Sequence, residues 1–297
     1  MIYARPVAGG ELFMLPDGEA EQLRAWTTAS LICPMPGCPD PKLTTVSRQV
    51  GRRDGFRHFP GAGGHAPESL FHLQGKTTVM RWLRARHPAS EVALEVPLDA
   101  GRSRIADVLI TARTGERLAI EVQYASLRVR EWQNRHLDYA DASVPDIWLF
   151  GHYGGQMKIA GPDVKVSDVH RAVVAAGQPL VWLNPIRDEL AIASTTVTRR
   201  NGEHVAIPYA HGPTAEMIVA PLSEFRLGPR GLDGPVLREL ANNLRMLQAE
   251  RKAERQRRVR TLPVAPRDRP AERWRPREEG GACHLPGRSL RAALDAD

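Results

Sequence analysis

Two carboxylic acids sit where apolar side chains would cost less. Asp107 lies within "RIADVLI" (104–110) and Glu121 within "RLAIEVQY" (117–124). A buried carboxylate must be neutral, paired or metal-bound, because leaving it charged and alone costs several kcal/mol. Alternation along a strand puts Asp107 on one face with Ile105 and Leu109, and puts Glu121 with Ala119 and Gln123, while the other face of both strands is apolar. "TARTGE" between them reads as a hairpin turn, and a turn centred on Thr114 sets position 107 opposite 121. Two acids facing one another lose roughly 0.2–1 kcal/mol against a neutral pair. A divalent cation removes that conflict: Mg²⁺ (or Mn²⁺) takes one or two carboxylates, waters and phosphate oxygens, which makes phosphodiester chemistry the natural reading.

The elements that must hold these acids follow from periodicity. A helix from Glu68 carries Glu68, His72 and Lys76 at four-residue spacing on one face, and it stops at "RARHPAS". Strands are expected at 91–98, 104–110 and 117–124, a helix at 128–141 capped by Ser126, and a buried strand at 146–151. Arg135 and Tyr139 share a face of that second helix. The order helix, three strands, helix, strand is an α/β pattern with a small mixed sheet flanked by helices. Beyond 151, "PLVWLNP" and "ELAIASTTVTR" read as strands and the rest as loops up to 234. The expected organisation is an N-terminal loop-rich module (1–67), an α/β core (68–155), an α/β or β extension (156–234), a basic helix (235–260) and a disordered tail (261–297) rich in Pro and Arg.

This core resembles the PD-(D/E)xK nucleases and, more closely, the competence protein CoiA-like family. The resemblance rests on Glu68-Ser69, His72 and Lys76, on "RIADVLI" and "IEVQYAS", on Arg135 and Tyr139, and on "WLFG", across about residues 31–151. It implies a restriction-endonuclease-like fold, a role in DNA processing, and Asp107 and Glu121 as ligands of Mg²⁺ or Mn²⁺. Gln123 stands where most relatives of the superfamily carry Lys. Gln can orient a water but brings no charge, so either another cation fills in, with Lys76 and Arg135 as the candidates, or the enzyme is slow. His72, Arg135 and Tyr139 either hold substrate or form a solvated helix face.

Cys33 and Cys38, followed by His58 and His65, offer four ligands to Zn²⁺ in a Pro/Gly-rich stretch, although six residues between the histidines exceed the usual three to five. The resemblance implies a zinc-ribbon-like module here; free cysteines beside surface histidines are the other reading. With three cysteines in 297 residues, a disulfide framework is excluded. No run approaches the roughly 18 apolar residues of a membrane span, and the N-terminus lacks a secretory layout, so a cytoplasmic protein without membrane contact is expected. The net charge of +7 is confined to the C-terminal part: residues 226–297 hold 17 Lys/Arg against 10 Asp/Glu, and the remainder is balanced. That tail can bind DNA phosphates without sequence preference. Leu237, Leu240, Leu244 and Leu247 form a stripe that serves either a homodimer seam or packing onto the protein's own core.

Overall fold

The computed structural model describes residues 1–35, 38–47, 53–62, 67–98, 104–228 and 231–261. His65 and the tail expected to be disordered lie outside them, apart from Thr261 at the tail's start. The first elements are β1 (Tyr3–Pro6), β2 (Phe13–Met14), α1 (Arg24–Ser30), β3 (Leu31–Ile32), β4 (Leu43–Val46) and β5 (Gly55–His58). β1 pairs with β2 and β3, and β4 with β5, around a small core of Ala4, Leu15, Ala20, Leu31, Cys33, Leu43 and Phe56. The N-terminal segment therefore has apolar packing of its own, because Ala4, Leu15 and Ala20 of residues 1–30 join Leu31, Cys33, Leu43 and Phe56 of the Pro/Gly-rich stretch.

Next come α2 (Pro67–Arg86), β6 (Glu91–Pro97), β7 (Ile105–Thr111), β8 (Arg117–Gln123), α3 (Val129–Asp141) and β9 (Asp146–Gly151). Gly115, at φ +89°, closes the β7–β8 hairpin in a conformation that costs glycine nothing. The register runs Val108↔Ile120 to Thr111↔Arg117, the one set by a turn at Thr114. Ser126 does not cap α3: Arg128 occupies the N-cap position with extended backbone and no side-chain bond.

The chain continues with β10 (Ile159–Ala160), β11 (Asp163–Lys165), α4 (Asp168–Ala175), β12 (Val181–Asn184), β13 (Glu189–Thr198), β14 (His204–Pro208), β15 (Thr214–Pro221), β16 (Arg226–Gly228), β17 (Gly231–Asp233) and α5 (Pro235–Thr261). Strands thus occupy much of the stretch read as loops. β14 and β15 each hold a short apolar run, Val205–Ile207 and Met217–Ala220, and hydrogen bonding to β13 fixes both in the sheet. α4 was also missed, although Ser167 and His170 form a capping box at its start.

All but the short outlying hairpins join one mixed sheet in the order β10-β11-β15-β13-β12-β9-β8-β7-β6, with β14 on β13. It has ten strands and is larger than the small sheet expected, because residues on both sides of position 155 share it: β9 pairs in parallel with β8 and with β12. One face packs Val108, Ile110, Ile120, Val122 and Leu183 against Val79, Trp82 and Leu83 of α2 and Leu240 of α5. The opposite face carries Ala119 beneath Tyr139 of α3, and Trp148, Phe150 and Trp182 beneath Trp132 of α3 and Val169 and Val173 of α4. Gly75 lets α2 approach closely, since a Cβ there would lie 2.7 Å from Val122 Cγ1. Of the leucine stripe of α5, Leu240 is buried in this core and Leu237 packs alongside it. The chain divides into two units, 1–250 and 251–297, and α5 is the element at that division. Among the described residues no helix is long and apolar enough to cross a membrane.

Candidate functional site

The ladder between β7 and β8 ends at Val108↔Ile120. One step further, where Asp107 and Glu121 stand opposite, a side chain replaces the ladder: Val122 N–H donates to Asp107 Oδ2 at 2.9 Å. Alternation also slips here. Ala106 and Leu109, of opposite parity, both pack in the cluster under α3, while Val108 and Ile110 pack under α2. The expectation that Asp107 and Glu121 share one face is therefore corrected. Asp107 meets α2, with its Oδ2 3.0 Å from His72 Nε2 and its Oδ1 4.0 Å from Lys76 Nζ. Glu121 meets α3, accepting a hydrogen bond from the Tyr139 hydroxyl on Oε1, with Arg135 Nη1 3.8 Å from Oε2. The acids converge from the two sides of the sheet at the point where its strands part.

Electrostatics tie them together. Glu121 is 4% exposed, and burial first, then the nearby Asp107 charge, push its pKa up to about 7, against the opposing pull of Tyr139, Arg135 and Arg104. Burial and the negative charge of Glu121 likewise push the Tyr139 hydroxyl far above its ordinary range, so it remains a donor. Arg104 is committed to Asp138 of α3, with its Nε 3.0 Å from Oδ2, and leaves Asp107 to α2.

Lys76 is buried over the same spot and donates to Glu95 Oε1 at 2.7 Å. Glu95 was not anticipated. The β6–β7 register places it opposite Asp107, and its backbone takes φ +53° within a strand, a conformation that costs a non-glycine residue of order 1–3 kcal/mol. The rule that singled out Asp107 and Glu121, a carboxylate inside an apolar run, applies equally to "EVALEVPL". Gln123 behaves otherwise than expected: its amide nitrogen donates to Ala125 O at 2.7 Å and reaches neither carboxylate among the described contacts. Of the anticipated set, the fold thus gathers Asp107, His72 and Lys76 on one side and Glu121, Arg135 and Tyr139 on the other, with Gln123 turned to the backbone. The side chain of Glu68 lies outside the described residues.

In the N-terminal module, Cys33 Sγ, Cys38 Sγ and a ring nitrogen of His58 lie within 4.8 Å of one another. Among the described residues this is the group of three such ligands that could hold a metal ion. Burial is the largest influence pushing the Cys33 thiol up to about 11, with the adjacent Cys38 adding to it and a backbone hydrogen bond at Met35 opposing. A buried thiol this hard to ionise is one that a cation would stabilise as thiolate.

Comparisons with curated proteins and with solved structures returned no match. A family model, the nuclease-like domain of competence protein CoiA, matches residues 68–209. That span opens on the α2 helix that carries His72 and Lys76, includes both carboxylates and Arg135 and Tyr139, and ends just past β14. Over residues 68–209, just under half of its length, the chain is similar to the CoiA nuclease-like domain family.

Proposed function

We propose that this protein is a cytoplasmic metal-dependent nuclease acting on DNA phosphodiester bonds, built on a restriction-endonuclease-like core. The observation that carries the reading is Glu121: a carboxylate buried to 4% exposure, beside a second carboxylate, at the break in a β-ladder. Such an arrangement is costly for the apo fold, and a divalent cation is the partner that offsets it. Asp107 and Glu121 suit Mg²⁺ or Mn²⁺, which need only one or two protein carboxylates. The chemistry such an ion supplies when bound is activation of a water and neutralisation of phosphate charge.

The chain's own residues do the rest. Tyr139 and Arg135 fix the orientation of Glu121, and His72 and Val122 N–H fix Asp107. Lys76, held by Glu95, places a positive charge on the α2 side of the site, 4.0 Å from Asp107 Oδ1. That charge would stabilise the developing phosphorane. Cys33, Cys38 and His58 would bind Zn²⁺ and stiffen the N-terminal module, with His65 as the candidate for the fourth position. The test is metal-dependent cleavage of plasmid and single-stranded DNA by wild type and Asp107→Ala; cleavage that survives the substitution ends this assignment.

A second reading is favoured by Gln123. Its amide is spent on Ala125 O, so it does not replace the motif lysine. A DNA-binding accessory protein that keeps the fold without turnover would bind DNA tightly and leave it intact under both Mg²⁺ and Mn²⁺.

A further inference from the structure

Four aromatic rings gather where the parallel strands β8 and β9 end. Gln123↔Phe150 is the last pair of that ladder, and Tyr124 and His152 follow it directly. Tyr124 stacks on Phe71 of α2 at 5.9 Å between ring centres and 19° between planes. Phe71 meets His152 edge-on at 5.2 Å and Tyr153 at 5.6 Å. Three of these rings are wholly or partly covered; Tyr153 is 55% exposed. Burial lowers the pKa of His152, so at neutral pH its ring is uncharged and offers a surface rather than a phosphate contact.

The rings behind Tyr153 are firmly seated. Tyr124 donates to Leu183 O at 3.2 Å, and its hydroxyl lies 2.9 Å from His152 Nδ1. The loop after Tyr153 is tied to the end of β8, because Gln156 Nε2 and Gln123 Nε2 both donate to Ala125 O. Gln156 O in turn accepts from Trp182 Nε1 at 2.8 Å. Gln123, at the position of the motif lysine, thus shares the Ala125 carbonyl with the loop that presents Tyr153. Phe71 directly precedes His72 on α2, and the His72 ring touches Asp107, so the rings and that carboxylate are served by the same helix.

We propose that Tyr153, backed by Phe71, is a stacking platform for an unpaired base, and that the nucleic acid taken by the nuclease-like site is single-stranded or frayed. In a duplex both faces of each base are covered by its neighbours, so only an unpaired base can lie on a protein ring. A preorganised aromatic surface pays little entropy on binding and gains about five- to one-hundredfold in affinity per stacked base. The assignment of the ligand as nucleic acid rests on the nuclease reading of the carboxylates.

The experiment uses the full chain in magnesium-free buffer. Fluorescence anisotropy compares a labelled short oligothymidylate with an abasic oligomer of equal length, which keeps the phosphates and lacks the bases. Wild type binds the oligothymidylate at least about fivefold more tightly; Tyr153→Ala erases that preference and Tyr153→Phe keeps it. A wild type without the preference, or a Tyr153→Ala protein that retains it, overturns the platform. Cleavage confined to duplex DNA also overturns it while leaving the nuclease reading intact. Tyr153-dependent binding without cleavage does the reverse.

Discussion

Replacing Glu121 with Gln removes a buried charge and keeps the shape, and the fold should gain stability from it. Gln can still accept the Tyr139 hydrogen bond, and Arg135 retains Glu131 at 3.4 Å. The ionisation of Glu121 is moved from an ordinary 4.5 to about 7, chiefly by burial. The folded protein therefore holds this proton more tightly than the unfolded chain does. The associated stability is complete below pH 4.5, is lost progressively as pH rises towards 7, and is absent above. At about 1.4 kcal/mol per pH unit, ionised Glu121 costs the apo fold about 3 kcal/mol at pH 8. Urea unfolding of wild type and Glu121→Gln across this range, in magnesium-free buffer, measures the effect. Equal stabilities are expected near pH 4, with a variant advantage of about 3 kcal/mol at pH 8, or roughly 6–12 °C in Tm. Magnesium at one hundred times its dissociation constant should restore about 2.7 kcal/mol to wild type at pH 8 and little to the variant. A variant no more stable than wild type at pH 8, or a gain that does not depend on pH, refutes the reasoning.

Three other substitutions and measurements bear on the site and its supports. Lys76→Met should lower cleavage by about a hundred- to a thousandfold with nucleic-acid binding retained; a rate within threefold of wild type means the charge lies elsewhere. Gly75→Ala, which a helix interior would ordinarily welcome, should instead destabilise by about 1–3 kcal/mol because the new methyl meets Val122 Cγ1 at 2.7 Å; a rise in Tm would show that α2 does not press on β8 as described. Mass spectrometry of purified protein should find zinc near one per chain, falling to zero in Cys38→Ser, and a wild-type value near zero sinks the zinc assignment.

Much of the scaffold was written in local pattern. Alternation and the Thr114–Gly115 turn determined the β7–β8 register, because a hairpin's pairing follows from where its turn lies. The order of α2, β6, β7, β8, α3 and β9 was likewise legible, since each carries its own periodicity. β14 and β15 were not, although each holds a short apolar run, because nothing local names the partner, here β13, that completes their hydrogen bonds.

For the site, the residue types alone marked Asp107 and Glu121 as misplaced in apolar strands, and the four-residue spacing of His72 and Lys76 put them on one helix face. Which face of the sheet each acid would join was a tertiary matter. The slip in alternation at Asp107 and the φ of +53° at Glu95 depend on contacts between strands and helices far apart in the chain. The side chain of Gln123 was equally beyond sequence reasoning. Spacing places it two residues after Glu121, but only the folded loop shows that its amide serves Ala125 O instead of the carboxylates. Sequence determines which groups are available along each element; packing between elements decides which of them meet.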